Sequence, residues 1–198
     1  MIMRHNFLMC CLLTLVACSS QAPLPTDHYY RLPELKDVNS DEKRVGSISV
    51  IPFQAEGLYL ERAILYAEDE IELKQYHYHH WSNSPSRLLQ ERLAERLRLS
   101  GVSNLVLNTF EGNSELIIKG QIKAFERLQE KSGERVYVKL LLQVNSNTAQ
   151  TPILYKEYIQ IVELPSNNNI TNAIRGFAEA VDLIFRDFYV DFVEIINI

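Results

Sequence analysis

Residues 115–127 read ELIIKGQIKAFER, residues 136–145 read VYVKLLLQVN, and residues 153–163 read ILYKEYIQIVE. Each stretch is rich in β-branched and aromatic side chains. Apolar positions recur every second residue, most regularly from Ile118 to Phe125, and this period puts one face of a strand on a core. Ser132-Gly133 supplies a turn between the first two stretches. The three together predict an antiparallel meander.

Two helices frame that meander. Residues 84–100 place Leu89, Leu93 and Leu97 at i, i+4 and i+8, flanked by Leu88 and Ala94, the stripe of an amphipathic helix. Ser84 is its expected cap, Pro85 stands at the first helical position and Gly101 at the C-terminal cap. Glu91, Arg92, Glu95, Arg96 and Arg98 are expected on its solvated side. After Pro165, residues 170 to about 196 form a second helix, about 40 Å long at ~1.5 Å per residue. Its apolar face carries Ile170, Ala173, Ile174, Phe177, Val181, Ile184, Phe185, Phe188, Phe192 and Ile195. Val190, Val193 and Ile196 lie off this stripe. Either this end is plain core, or it packs on another chain.

The earlier strands are shorter. Tyr29, Tyr30 and Leu32 suggest one, stopped by Pro33. Residues 45–53, VGSISVIPF, form another, with Ile48 and Val50 on one face, Ser47, Ser49 and Ile51 on the other, and Pro52 at its exit. Residues 58–67 read equally as a helical turn or a strand. Residues 70–80 alternate again, and the pair makes a hairpin across Glu68-Asp69. Residues 102–108 add a short apolar strand. The fold class is α+β and sandwich-like: a mainly antiparallel sheet with two main helices packed on it, the C-terminal one long.

The N-terminus gives an address. Arg4 and His5 precede an apolar run over residues 7–17, and small residues follow, the layout of a secretory signal peptide. The run is too short to span a bilayer, which takes about 20 apolar residues. Its ending, Leu15-Val16-Ala17-Cys18-Ser19-Ser20, resembles the bacterial lipobox, in which the Cys becomes the first mature residue and carries acyl and diacylglycerol lipid. The expected organisation is a signal peptide over residues 1–17, a lipidated tether over 18–27 and one domain over 28–198. Cys10 and Cys11 leave with the signal and Cys18, the mature chain's only cysteine, is lipidated, so no free thiol remains. That excludes disulfide staples and cysteine catalysis. Lipoproteins retained in the inner membrane commonly carry Asp after the Cys. Here Ser19 follows, so the expected location is the outer membrane, facing the periplasm.

The chain holds 20 basic and 25 acidic residues, a net charge of -5 with no basic block, so nucleic acid is not an expected partner. Chemistry-bearing motifs are sparse. His77 and His79 share a strand face within Tyr76-His77-Tyr78-His79-His80-Trp81, and such a pair can hold zinc. No HExxH or Cys partner accompanies them, and histidines at an aromatic strand end commonly serve as hydrogen-bonding residues. Glu70 and Glu72, beside Asp69 at a hairpin, read as solvated acids before they read as a glycosidase dyad. No GxSxG elbow, GxxxxGK[ST] loop or GxGxxG loop occurs. A non-enzymatic role with no cofactor is expected.

Several features in order resemble the ABC-type transport auxiliary lipoprotein family. Cys18 is followed by Tyr29-Tyr30-Arg31-Leu32, like the family's early Tyr-x-Leu strand. Residues 48–53 resemble its strand ending in Pro. Leu58-Tyr59-Leu60-Glu61-Arg62 through Ile64 and Tyr66 resembles its Tyr-Leu-x-Arg stretch. Tyr76, Trp81, Pro85 and the Leu89-Leu93-Leu97 stripe match its helix entry. Gly57 departs from the family's usual Pro, and the hydrophobic C-terminus is longer. The resemblance implies an accessory component of an intermembrane lipid transport system, docking with an inner-membrane complex that includes an MCE-domain protein. It also implies possible homo-oligomers, since family members can form rings. Tyr76, Trp81, Phe188 and Phe192 are the expected partner-contact residues. The alternative is a periplasmic lipoprotein that binds an apolar ligand or assists envelope assembly. A closed apolar cavity would favour that alternative, and a filled core would favour docking.

Overall fold

The computed structural model describes residues 25–35, 38, 42, 44–68, 71–109, 114–130, 133–165 and 169–196. The signal peptide, Cys10, Cys11, Cys18, Asp69 and Glu70 lie outside the described residues. Among the described residues eight strands follow in order: β1 (His28–Tyr30), β2 (Val45–Val50), β3 (Ala63–Glu68), β4 (Glu72–Trp81), β5 (Ser103–Leu107), β6 (Leu116–Glu130), β7 (Gly133–Ser146) and β8 (Leu154–Leu164). Helix α1 (Pro85–Ser100) lies between β4 and β5, and α2 (Ile170–Ile196) follows β8. The expected α+β class is what the chain adopts: one mixed, mostly antiparallel sheet and two helices, α2 the longer.

Strand β6 organises the sheet. Along one edge it pairs antiparallel with β7 from Leu116↔Ser146 to Glu130↔Gly133, and β7 pairs antiparallel with β8. This is the predicted meander. The other edge of β6 is shared. Its first residues pair in parallel with β2, its last with β3, and Gln54 bridges to Gln121 between them. Beyond β2 lies β5, parallel; beyond β3 lie antiparallel β4 and parallel β1. The sheet is therefore forked, with two short ribbons on one side of β6 and the meander on the other.

A bulge between Ile122 and Ala124 shifts the phase of β6. Ile118, Ile122 and Phe125 consequently all reach the core, although strict alternation would turn Phe125 outward. Both helices cover this same face. Leu89, Leu93 and Leu97 of α1 are fully buried, and so is the α2 stripe from Ala173 through Phe192. Gly176 lets α2 approach closely: a Cβ there would meet Leu164 Cδ2 at 2.7 Å. Gly120 does the same within the sheet, where the Phe53 ring occupies the space a Cβ would fill.

Two local expectations are corrected. Ser84 sits at the N-cap with extended backbone, but its side chain makes no capping bond; its carbonyl accepts from Arg87 and Leu88 instead. Arg92 is not on a solvated face. It is buried, and it donates from Nε and Nη2 to the two carboxylate oxygens of Asp182 on α2 at 2.8 and 2.7 Å, and from Nη1 to the Pro33 carbonyl at 2.5 Å. Ser49, on the strand face opposite Ile48 and Val50, is also buried and shares a hydrogen bond of 2.6 Å with Ser114. The ambiguous stretch 58–67 divides into both forms weighed, a 3-10 turn at Gly57–Leu60 and then β3. Gly101 closes α1 with φ 72°, as expected of a left-handed cap.

Candidate functional site

The sheet has a second face that neither helix covers, and one hollow of that face combines charged and apolar walls. In the strand registers, Glu126 lies opposite Tyr137 and Tyr137 opposite Ile161, while Leu128 lies opposite Arg135. These five side chains line an open groove of about 400 Å³, within the size range of small-ligand sites. Leu128 is buried in its floor, and Ile159 and Ile161 stand exposed along β8. The 3-10 turn supplies Tyr59, whose hydroxyl donates to Glu126 Oε2. Burial drives the Tyr59 hydroxyl far above its usual range, and the Glu126 carboxylate next to it adds to the shift. Burial likewise raises the Glu126 carboxyl, against the opposing effect of the Tyr59 bond. Leu58 and Leu60 of the same turn are exposed.

Residues expected to contact a partner lie elsewhere. Trp81 is 1% exposed, enclosed by Phe125 and Phe177 with ring centroids at 5.4 and 5.2 Å. Phe188 and Phe192 are fully buried, stacked 5.8 Å apart beneath Tyr158. These three side chains are interior packing and present no surface to another molecule. The place of Phe188 and Phe192 on α2 follows from the stripe that predicts it, which packs on the core. Tyr76 is half-buried, and its hydroxyl accepts from Arg127 Nη1 at 2.8 Å and Gln129 Nε2 at 3.2 Å. Arg127 in turn donates to Glu134.

The histidine-rich end of β4 holds β1 in place. Tyr30 hydroxyl and His79 Nδ1 share a hydrogen bond of 2.9 Å, His28 stacks on His79 at 5.4 Å, and His80 Nε2 lies 3.3 Å from Asp27. Burial, with His28 and His80 nearby, lowers the affinity of His79 for a proton. His77 stays exposed on the strand. Among the described residues no group of three or more His, Cys, Asp or Glu side chains converges as a metal site. Glu72 makes an ion pair with Lys74 at 2.9 Å. Among the described residues no helix is long and apolar enough to cross a membrane.

Sequence reasoning missed the groove because its walls come from three strands and a turn. The one signal available was the outward alternation of Tyr137, Ile159 and Ile161, which breaks the rule that an outer sheet face is polar.

No family model matches the sequence, and no curated protein matches it either. Solved structures do match the fold. Protein XCC0632 from Xanthomonas campestris, a DUF330 protein, superposes with a TM-score of 0.71 at 14% identity, covering 81% of this chain and 91% of its own. An uncharacterized protein superposes with a TM-score of 0.58 at 12% identity, over 82% of this chain and 99% of its own. The hypothetical protein CT253 from Chlamydia trachomatis gives 0.53 at 9% identity, over 77% and 98%. At such identities the likeness defines a shared fold, and the chain spans nearly the whole of each.

Proposed function

We propose that this chain is an outer-membrane lipoprotein of the ABC-type transport auxiliary kind, an accessory component of an MCE-type intermembrane lipid transport system. Its role is docking, without catalysis. Lipid at Cys18 holds the domain at the outer membrane, on the periplasmic side, and the domain receives the end of the transport complex. The observation that carries the reading is the lipobox ending at Cys18 followed by the family's motifs in order, from Tyr29-Tyr30-Arg31-Leu32 to the Leu89-Leu93-Leu97 helix entry. Packing supports it. The space between helices and sheet is filled by side chains such as Trp81, Phe125 and Phe177, as suits a rigid docking module. Exposed apolar side chains available for contact include Leu58 and Leu60 of the 3-10 turn and Ile159 and Ile161 of β8.

The test is co-purification of the tagged, lipidated protein with an MCE-domain partner. Recovery of that partner is expected; recovery of unrelated envelope proteins alone would sink the proposal. A parallel test addresses the anchor. Cys18→Ser should release the protein from the membrane fraction, and unchanged retention would refute the localisation.

A further inference from the structure

Arg135 and Lys139, on the uncovered face, are each paired with an acid. Arg135 donates to Glu130, and Lys139 Nζ lies 2.8 Å from Glu157. Glu126 is different. Tyr59 donates to its Oε2, and among the described residues no cation pairs with it. The groove it shares with Leu128, Arg135, Tyr137 and Ile161 therefore holds one uncompensated negative charge among apolar walls. A half-buried carboxylate without a counter-charge is costly, and a cation seated on it favours the charged form against burial.

The geometry narrows the cation. Tyr59 already donates to Oε2, which leaves Oε1 for a ligand. A guanidinium fork binds best to both oxygens, whereas a compact ammonium needs one. Tyr137 stands opposite Glu126 on β7, and Leu128 and Ile161 give the methylenes of a lysine an apolar bed. The groove is open along one side. Small-molecule sites enclose about 70–90% of their ligand, and an open sheet face does not do so for a free amine. A side chain carried by a protein brings its own cover, and water-excluding contacts around a seated anchor are the usual build of a binding hot spot. Exposed apolar side chains suit such cover: Ile159 and Ile161 on β8, and Leu58 and Leu60 on either side of Tyr59 in the chain. We propose that this groove receives the ammonium of a lysine presented by a protein partner and flanked there by apolar side chains, with the charge seated on Glu126. The assignment rests on the docking reading for its partner being a protein, while its geometry is that of the groove alone.

The experiment titrates the purified full chain with three soluble probes. The first is a capped pentapeptide with lysine at its centre, serine beside it and leucine at both ends, so that an extended backbone puts lysine and leucines on one side. The second has glutamine in place of the lysine, and the third is n-butylammonium. Backbone amide shifts in β6, β7 and β8 are the readout. The lysine peptide should bind about tenfold tighter than the glutamine peptide, the size expected of one charged hydrogen bond, and n-butylammonium should bind more weakly than the lysine peptide. Glu126→Gln should remove the lysine advantage. Glu157→Gln makes the same change of charge outside the groove and should keep it. Equal binding of the two peptides, an advantage that survives Glu126→Gln or vanishes equally in Glu157→Gln, or no saturable shift in these strands would each overturn the proposal. Binding of n-butylammonium as tight as that of the lysine peptide would assign the groove to free amines and overturn it too. Should Glu126→Gln disturb the fold, the comparison of peptides on the unaltered chain still decides. None of these results bears on co-purification with an MCE-domain partner, so the two readings fail separately.

Discussion

Replacing Arg92 with alanine should cost the domain about 3 kcal/mol of stability. The guanidinium is 5% exposed, grips both oxygens of Asp182 and also holds the Pro33 carbonyl. One residue of α1 therefore ties down both α2 and the chain leaving β1. Truncating it strands a carboxylate and a carbonyl. Losing one partner of a fully buried pair costs about 3–5 kcal/mol. The Asp182 side chain is 30% exposed, so water recovers part of its solvation, and the lower end of that range applies. With a urea m-value of about 2 kcal/mol/M, the midpoint should fall by roughly 1.5 M with m unchanged. Arg92→Lys keeps the charge but loses the two-pronged geometry, and should recover less than half the loss. The assay is equilibrium urea unfolding followed by Trp81 fluorescence, with Asp182→Asn and the double variant completing a cycle. Additive single effects, or a loss under about 0.5 kcal/mol for Arg92→Ala, would refute the claim that this pair couples the helices.

Other expectations are narrower. Gly120→Ala drives a methyl to within 2.4 Å of the Phe53 ring; an overpacking loss of about 1–3 kcal/mol is expected by thermal or urea unfolding, and a neutral result would mean the ring moves freely. Phe192→Ala should destabilise by about 3–5 kcal/mol, whereas Val190→Ser, at an exposed position of the same helix, should stay within about 0.5 kcal/mol. A comparable cost at both would contradict the assignment of Phe192 to the core. His79 binds its proton less readily when folded, so the folded state takes up fewer protons than the unfolded chain as pH falls below about 6.5. Stability should therefore be full above that pH and decline beneath it, and His79→Gln should flatten the decline; an unchanged slope in that variant would assign the effect to other groups.

Residue patterns carried the elements well and the long-range arrangement poorly. The Leu89-Leu93-Leu97 stripe and the α2 face are local periodicities, and α1 runs from Pro85 to its Gly101 cap where the proline and glycine signals place it. The meander was legible for the same reason, since its strands are neighbours in sequence. Arg92 was not, because an arginine between Glu91 and Leu93 looks like any surface cation until Asp182, ninety residues away, is brought against it. Trp81 was misassigned to a contact surface by its polar neighbours, although the strand that carries His77 and Tyr78 outward ends by turning Trp81 under α2. The parallel partners of β6 left no local mark, and the bulge at Lys123 inverted one stretch of alternation. The groove suffered from all of these at once.

The three-residue β1 has a mechanical consequence. Its ladder to β4 pairs His28 with His79, Tyr29 with His80 and Tyr30 with Trp81, and just beyond it Ser82 N–H donates to the Tyr30 carbonyl at 2.7 Å. A pull on the N-terminal segment, which is where the lipobox reading at Cys18 puts the load, falls on these few bonds before it reaches β2 or the core. If they yield, residues 28–32 peel away at about 3.3 Å of contour each, until the load meets the Pro33 carbonyl that Arg92 holds. Such a strand is a fuse: it lets the attachment lengthen under strain while the sheet and both helices stay folded.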